Sequence, residues 1–321
     1  MTAAPEESRA GVRLTNLDQV LFDGAGHSKR DLVDYLDAVH AQVVGELRDR
    51  PLSVIRVTGG QSPFMQKNLP KYTPEWVERA ELWAEASKRA VSYALCNDRR
   101  TLLWFANQRA VEYHPMLARA EDLDHPTHLV IDLDPPPEEP FGSVVAAALA
   151  VRAVLTDVGL EPVVKTSGAK GLHVVVPIGS LVSAEDAGAA TRAVARRTEL
   201  LAPSSTTTAF VKADRRGKVF VDATRTGGAT VVAAYSPRAR PGLPVSFPVG
   251  WDDLAAVSPR DFTVRTVPGL LGGHDPWAEA LARPQQLPTV LVEEGHAIPV
   301  ARVAAMHEGR RRARARRAAE D

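Results

Sequence analysis

The sequence predicts an α+β protein in which a sheet with helices packed on it follows a smaller N-terminal α/β subdomain. Strand and helix patterns alternate along the chain, as such a layered fold requires. Hydrophobic residues make up 45% and charged residues 24% of the 321 residues, which are values of a folded globular chain. The single cysteine, Cys96, excludes an intrachain disulfide and a cysteine-rich zinc site. Any metal must therefore be held by carboxylates or histidines.

The first third of the chain predicts a short disordered terminus, residues 1–11, and then the α/β subdomain, residues 12–126. The terminus is small and polar. After Ser28, a candidate N-cap, apolar residues recur at three- and four-residue steps as far as Leu47, which predicts one amphipathic helix. A second helix is predicted to start near Thr101. Strands are predicted at 52–57, 93–96 and 111–114, and a loop at 61–70.

The middle of the chain predicts a βαββαββ run that forms the main sheet. A helix at 141–158 ends before Gly159, and a helix at 184–200 begins after Ser183, its candidate N-cap. We place this core at 127–277. Residues 278–307 are expected to wrap back over it, and residues 308–321 form an arginine-rich tail. The strands of the run are predicted at 128–134, 162–166, 172–177, 219–223 and 230–234.

Charge is balanced over the whole chain, with 39 basic and 39 acidic residues, but it is unevenly distributed. Residues 308–321 contain six arginines and three acids, and they form either a solubilising segment or a tether for DNA. The remaining body would need local basic patches to bind nucleic acid. No stretch has the length and apolarity of a membrane span, and the N-terminus lacks a signal-peptide pattern, so we expect a cytoplasmic protein with no membrane partner.

The strongest local signal is an apolar strand that ends in two aspartates, Asp132 and Asp134. Because side chains alternate along a strand, both carboxylates face the same side. Their repulsion would be offset by a divalent cation, and hard oxygen ligands favour Mg²⁺ or Mn²⁺. Asp222 ends another strand of the same predicted sheet, so three aspartates could hold two metals roughly 3.5 to 4 Å apart. An Asp-x-Asp pair that only caps backbone amides is the alternative interpretation.

A second signal is the segment KTSGAKGLHVVV at 165–176, which predicts a tight turn between two strands. Backbone amides in such a turn can face an anion, and Lys170 adds a point charge for a phosphate. Ser167 and His173 flank the turn. An ordinary hairpin with a structural histidine is the alternative, and the Walker spacing is absent. Arg238 and Arg240 follow in an irregular segment, where their guanidinium groups suit triphosphate oxygens or form a solvated surface.

These motifs occur together in the order of a known family. The chain resembles the polymerase domain of bacterial ligase D, a member of the archaeo-eukaryotic primase (primase-polymerase) superfamily. The resemblance covers residues 14–277 and implies a primase-polymerase fold whose catalytic βαββαββ sheet is RRM-like. No ligase or phosphoesterase domain is attached, so we expect a stand-alone form. The matching segments are LTNLDQVLF at 14–22, QKNLPK at 66–71, VIDLDP at 130–135, KTSGAKGLH at 165–173, VFVD at 219–222 and YSPRARP at 235–241.

The resemblance implies roles for three groups of residues. The catalytic, metal-binding acids are Asp132, Asp134 and Asp222. The nucleotide-binding residues are Ser167, Lys170, Gly171, His173, Arg238, Arg240 and, beside the sugar, His114. The DNA-binding residues are Asn16, Lys29, Phe64, Lys67 and Arg216, with Phe64 a stacking platform for a template base.

Three departures from the family pattern accompany the resemblance. Gln19 stands where the family usually has a lysine for a downstream 5′-phosphate, so recognition of a gap is expected to be weaker. Met65 replaces the second of two aromatic residues. After Asp222 the sequence is ATRTGG, whereas the family commonly has an aromatic residue followed by Leu-Gln-Asn.

The implied function is template-dependent addition of nucleotides, preferably ribonucleotides, to a primer 3′-hydroxyl by two-metal catalysis in gap filling or end-joining repair. The implied partners are DNA, nucleoside triphosphates and a Ku-like end-binding protein or a separate ligase, and the implied location is the nucleoid. Two alternatives remain. A phosphatase of the haloacid dehalogenase class also has Asp-x-Asp, although Pro135 and Pro136 tell against it. A non-catalytic module that binds single-stranded nucleic acid would need exposed aromatic residues on its central strands, where acids stand instead.

Overall fold

The computed structural model describes residues 7–22, 26–58, 62–84, 88–179, 181–226 and 229–300. These residues form a mixture of helices and strands, which confirms the α+β class. They divide into two compact units. Unit 1 contains the described residues up to Leu123 together with Lys165–Ala169 and Thr230–Ala282. Unit 2 contains Asp124–Val164, the described residues of Lys170–Ala229, and those from Arg283 onward.

Unit 1 opens with a hairpin, three helices and a five-stranded sheet. The sheet has the order β4-β3-β6-β5, and β7 also pairs with β3. Leu32, Leu36 and Phe105 are fully buried on its helices. The elements are β1 (Glu7–Arg9), β2 (Val12–Leu14), α1 (Lys29–Ala38), α2 (His40–Leu47), β3 (Leu52–Arg56), β4 (Phe64–Gln66), β5 (Arg79–Ala84), β6 (Arg89–Ala94), α3 (Arg99–Asn107) and β7 (Ala110–Pro115).

The predicted cap at Ser28 is confirmed, but the predicted single helix is two helices. The Ser28 amide donates to Asp31 Oδ2 at 2.7 Å, which completes a capping box. The chain leaves helical geometry at Val39, with φ −109° and ψ 22°. There His40 Nδ1 hydrogen-bonds to the Asp37 carbonyl at 2.8 Å. A continuous helix would offer that carbonyl to a backbone amide four residues on. The predicted loop at 61–70 is also wrong in part, because Phe64–Gln66 pairs with β3.

Unit 2 contains the main sheet and the two helices that cover it. Strand order is β11-β12-β8-β10-β9, with the last two residues of β9 in unit 1. The Asp186 amide donates to Ser183 Oγ at 3.1 Å, which confirms that predicted N-cap. The elements are β8 (His128–Asp134), α4 (Phe141–Asp157), β9 (Val163–Thr166), β10 (Leu172–Pro177), α5 (Ala184–Leu201), β11 (Thr206–Thr207) and β12 (Val219–Asp222).

The βαββαββ run is present, but one of its strands is not the predicted one. Residues 230–234 are no part of this sheet. They lie in unit 1 beside β7, where Thr230 bridges Met116 and the Ala233 amide donates to the Tyr113 carbonyl at 2.9 Å. The short strand β11, parallel to β12, supplies the missing element. Two residues are too few for a periodicity signal, which is why the sequence did not predict β11.

The remaining elements are β13 (Pro248–Val249), α6 (Val267–Leu271) and α7 (Pro276–Leu281) in unit 1, and α8 (Thr289–His296) in unit 2. This division differs from the predicted single core at 127–277. Lys165 belongs to unit 1, where its ammonium donates to the Val232 carbonyl at 2.9 Å and to Ser246 Oγ at 2.7 Å. None of the helices in the described ranges is long and apolar enough to cross a membrane.

The described part of the predicted C-terminal wrap, residues 278–300 of 278–307, is split between the units. In unit 2 the Gln285 amide donates to the Pro177 carbonyl at 2.9 Å, and α8 packs along α5. The predicted disordered terminus is only partly described, and Glu7–Arg9 within it forms β1. The arginine-rich tail at 308–321 lies outside the described residues.

Candidate active site

Three aspartates meet at the centre of the sheet in unit 2. Strand β8 is flanked by β10 and β12, and Asp132 stands directly opposite His173 on one side and Asp222 on the other. Asp134 lies two residues further along β8, opposite Phe220. The alternation along β8 therefore places both of its carboxylates on the face that Asp222 shares. Asp132 is 8% and Asp222 4% exposed, so the cluster is largely withdrawn from water.

Burial and the surrounding negative charge make Asp134 easier to protonate. Burial, with the charges of Asp132 and Asp222, raises the pKa of Asp134 to about 6. Asp222 is held by its own loop, since the Thr224 amide and hydroxyl donate to Asp222 Oδ1 at 2.8 and 2.6 Å. Such a site favours a cation.

A cation from the chain itself already lies between two of these acids. The Arg225 NH2 nitrogen lies 3.0 Å from Asp132 Oδ2, and Arg225 Nε lies 3.2 Å from Asp222 Oδ2. Burial opposes the charged form of Arg225, but the three aspartates raise its pKa overall. The segment after Asp222 departs from the family pattern, but no role was predicted for this arginine.

The donor chemistry of the cluster fits a divalent cation, because buried carboxylates on adjoining strands are hard oxygen ligands. In the described part of the chain, however, no group of three or more His, Cys, Asp or Glu side chains is arranged to hold a metal. The arrangement seen pairs Asp132 and Asp222 with the guanidinium of Arg225 instead.

The cationic residues predicted in unit 2 have distinct positions. His173 Nε2 lies 3.4 Å from Asp132 Oδ1, and the histidine is only 3% exposed. Lys170, exposed, donates to the carbonyl of Pro137, and Gly171 follows it in the turn. Arg216 is exposed, with φ +49°, just after the 3-10 helix Lys212–Arg215.

A second cluster, in unit 1, forms around Glu112 on β7. Its carboxylate contacts His114 Nε2 at 2.8 Å, Arg238 Nε at 3.0 Å and the amide of Ala239 at 2.8 Å. Burial alone would raise the pKa of Glu112, but the contacts with His114 and Arg238 lower it to about 2. Burial lowers the pKa of His114. Glu112 thus fixes the side chains of two predicted nucleotide contacts.

The turn before β10 is built against the same cluster. Arg238 donates to the Ser167 carbonyl, and Gly168 has φ +68°. A Cβ at Gly168 would lie 2.7 Å from Arg238 Cγ and 2.8 Å from the backbone nitrogen of Ser246, so the turn requires glycine for both its φ and its space. Arg240 is exposed two residues beyond Arg238. The structure therefore brings Ser167, His114 and Arg238 together.

The predicted DNA-binding residues other than Arg216 lie at two places in unit 1. Asn16 and Gln19 share a turn, in which the Gln19 amide donates to the Asn16 carbonyl at 3.1 Å. The Lys29 amide donates to the Gln19 carbonyl at 2.8 Å, and the Lys29 ammonium donates to the Thr15 carbonyl. Lys29 is 3% exposed, and burial, with the charge of Arg109, lowers its pKa to about 8. The Lys29 ammonium therefore forms its hydrogen bond within the protein.

Phe64 and Lys67 lie at the second place, on and just after β4. Phe64 is 40% exposed, and the Arg56 guanidinium lies 5.8 Å from its ring centroid. Lys67 is exposed.

Glu112, Arg225 and Arg56 were not predicted to contribute to the site. For Glu112 the available signal was a carboxylate in the apolar strand AVEYHP, two residues before His114 and therefore on its face.

Carboxylates gathered on adjoining strands, with arginine, lysine and histidine close by, are typical of sites that transfer phosphoryl or nucleotidyl groups. The family model of the LigD primase-polymerase domain matches residues 28–277. The chain belongs to this family, which consists of DNA-directed nucleotidyltransferases. The assignment confirms the resemblance and replaces the haloacid dehalogenase alternative.

Similar proteins include two bacterial repair proteins and one solved structure. The multifunctional non-homologous end joining protein LigD of Mycolicibacterium smegmatis is 35% identical over 249 residues, which cover 76% of this chain and 32% of that protein. The bifunctional non-homologous end joining protein LigD of Bacillus subtilis is 29% identical over 261 residues, 80% of this chain and 42% of that protein. This chain thus spans about a third of the length of the mycobacterial relatives.

The solved structure is the polymerase domain from Mycobacterium tuberculosis ligase D in complex with DNA. It superposes with a TM-score of 0.78 at 31% identity, over 85% of this chain and 99% of that one. The similarity therefore extends over that whole domain and confirms the predicted primase-polymerase fold.

Proposed function

We propose that this chain is a template-dependent repair polymerase that adds nucleotides to a primer 3′-hydroxyl. The observation that carries the proposal is the strand register that places Asp132 between Asp222 and His173, with Asp134 on the same strand. Family membership supplies the reaction class. In the proposed reaction the primer 3′-oxygen forms a bond to the α-phosphorus, the bond to the β-phosphate oxygen breaks, pyrophosphate leaves and the hydroxyl proton passes to solvent.

Asp132, Asp134 and Asp222 would hold two divalent cations, Mg²⁺ or Mn²⁺. When bound, these cations would offset the negative charge on the attacking and leaving oxygens. The protein's own contribution is to hold the three carboxylates close together despite their repulsion. Rigid strand pairing does this for Asp132 and Asp222, and Thr224 fixes the orientation of the Asp222 carboxylate.

Nucleotide contacts are proposed in each unit. In unit 1, Ser167, Arg238 and Arg240 would contact phosphate oxygens, and His114 would lie beside the sugar, with Glu112 positioning Arg238 and His114. In unit 2, Lys170, Gly171 and His173 would contact phosphate oxygens. A preference for ribonucleotides needs a contact to the 2′-hydroxyl, and Ser167 or His114 is the proposed source.

DNA and repair partners are further parts of the proposal. Asn16, Phe64, Lys67 and Arg216 would contact DNA, with Phe64 stacking on a template base, and the buried Lys29 would hold the turn that carries Asn16. The relatives are named for non-homologous end joining, which supports a role in gap filling or end joining. A Ku-like end-binding protein or a separate ligase would then be a partner.

Primer extension tests the proposal directly. Gapped, nicked and overhanging DNA would be extended with ribo- or deoxynucleotides in Mg²⁺ and in Mn²⁺, and products from four template bases would be compared. We expect extension by the complementary nucleotide only, faster with ribonucleotides and in Mn²⁺. Addition that ignores the template base would contradict the proposed activity. Equal kcat/KM for the two sugars opposite one base would contradict the proposed sugar preference.

A further inference from the structure

Arg225 makes the contacts with the catalytic acids that an added cation would make. Its Nε lies 3.1 Å from Asp132 Oδ2 and 3.2 Å from Asp222 Oδ2, and its NH2 nitrogen lies 3.0 Å from the same Asp132 oxygen. One guanidinium therefore bridges two carboxylates on adjacent strands. The two acidic side chains are 11% and 5% exposed, whereas that of Arg225 is 36% exposed.

Removing such a cation leaves two buried like charges facing each other. Repulsion between unpaired carboxylates in a low-dielectric site is costly, and a guanidinium offsets it while also satisfying their hydrogen-bonding capacity. A divalent cation held by Asp132 and Asp222 would need oxygens of the same two carboxylates. The guanidinium of Arg225 already contacts one oxygen of each, so the two cations would compete for these acids.

We propose that Arg225 is an internal counter-ion that stabilises Asp132 and Asp222 in the metal-free protein and competes with a divalent cation for them. The proposal rests on the proposed function, in which these acids hold the cations. Because its side chain is partly exposed and anchored only three residues after Asp222, the guanidinium can swing toward solvent when a metal binds. Arg225 is thus a positioning residue that sets the concentration of divalent cation needed to occupy the site.

Two measurements on the whole chain test the competition without measuring catalysis. The first is Mn²⁺ affinity, from loss of the free-ion electron paramagnetic resonance signal, in wild type and Arg225→Gln without DNA or nucleotide. We expect the variant to bind Mn²⁺ about tenfold more tightly, because a charged hydrogen-bonding competitor is gone. The matched control is Arg196→Gln, which removes the same charge from an exposed pair with Glu199 on α5. This control should leave the affinity unchanged.

The second measurement is the melting temperature with EDTA and with Mn²⁺. In EDTA, Arg225→Gln should melt about 2–4 °C below wild type, because Asp132 and Asp222 lose the positive charge between them. Added Mn²⁺ should raise its melting temperature more than that of wild type. Equal or weaker Mn²⁺ affinity in Arg225→Gln would overturn the competition, as would failure of both proteins to bind Mn²⁺.

A third variant separates this inference from the proposed function. Asp222→Asn should weaken Mn²⁺ binding in both the wild-type and the Arg225→Gln backgrounds. If it does not, the metal is not held by these acids, and the proposed function loses its metal site. If it does, while Arg225→Gln leaves the affinity unchanged, only the role of Arg225 is contradicted.

Discussion

Glu112 is the residue on which the cluster in unit 1 depends. One buried carboxylate hydrogen-bonds to an imidazole and a backbone amide and forms an ion pair with a guanidinium, so each of its partners would lose an anionic neighbour without it. The apolar pattern of β7 predicts a strand, but it does not predict that Arg238 and Ala239 contact Glu112. Contacts of this range depend on the tertiary fold.

Glu112→Gln should lower the free energy of unfolding by about 3 kcal/mol at pH 7 and raise the nucleotide KM. The magnitude follows from a pKa of about 2 in the folded protein against an ordinary 4.5, at about 1.4 kcal/mol per pKa unit. The folded-state pKa is depressed, so the stabilisation is present above pH 4.5 and is lost as the pH falls toward 2. Urea unfolding at several pH values measures it.

The exposed Glu81 on β5 supplies the control for that prediction. Glu81→Gln should change neither the urea midpoint nor its dependence on pH. A constant difference between wild type and Glu112→Gln from pH 7 to pH 3 would mean that the ionised carboxylate is not the stabilising group.

Gln19→Lys should increase the stimulation of gap filling by a downstream 5′-phosphate. Gln19 is exposed and shares a turn with Asn16, so the new ammonium would add charge without disturbing the core. A terminal phosphate is the only charge that distinguishes a phosphorylated gap from a hydroxyl-ended one. Extension rates on the two gaps measure the effect, with the exposed Gln286→Lys as a charge-matched control. Strong discrimination already in wild type would assign this function to another residue.

At the scale of elements, most strands and helices of the sheet were predictable because their periodicity and caps are local. The strand that ends in Asp132 and Asp134 and the N-cap at Ser183 are examples. There were two exceptions, the two-residue strand β11 and residues 230–234, whose apolar run predicts a strand but cannot specify its partner. Its amides pair with β7 in unit 1, and such pairing is decided by packing over long sequence separations.

Gly295→Ala should destabilise the packing of α8 on α5. A Cβ there would lie 1.8 Å from the Ala189 carbonyl oxygen, so the two helices would have to separate. We expect the free energy of unfolding to fall by about 1–3 kcal/mol or more, measured by urea denaturation. Gly45→Ala, inside α2 with no atom near the added Cβ, should instead stabilise by about 0.5–1 kcal/mol. Equal effects of the two substitutions would contradict the close approach.

At the scale of the whole molecule, the balanced charge of the chain leads to a prediction that separates the two roles left open for the arginine-rich tail, a DNA tether and a solubilising segment. Deleting residues 308–321 should reduce the slope of log K for DNA binding against log salt concentration by several units. The expected reduction is about 0.7–0.9 for each phosphate that the tail neutralises. Affinity should fall equally for all sequences, and extension at saturating DNA should be preserved. Binding constants over a range of salt concentrations measure this, and an unchanged slope would leave the tail with a solubilising role.

The central claim is that the three aspartates carry metal-dependent nucleotidyl transfer. The most direct test is the single-turnover rate of ribonucleotide addition in Mn²⁺ at saturating DNA, compared between wild type and Asp134→Asn. The variant keeps the shape of the side chain and removes its charge, so it should remain folded. We predict a rate below about a thousandth of wild type, equivalent to about 4 kcal/mol of transition-state stabilisation. A rate within tenfold of wild type would contradict the claim.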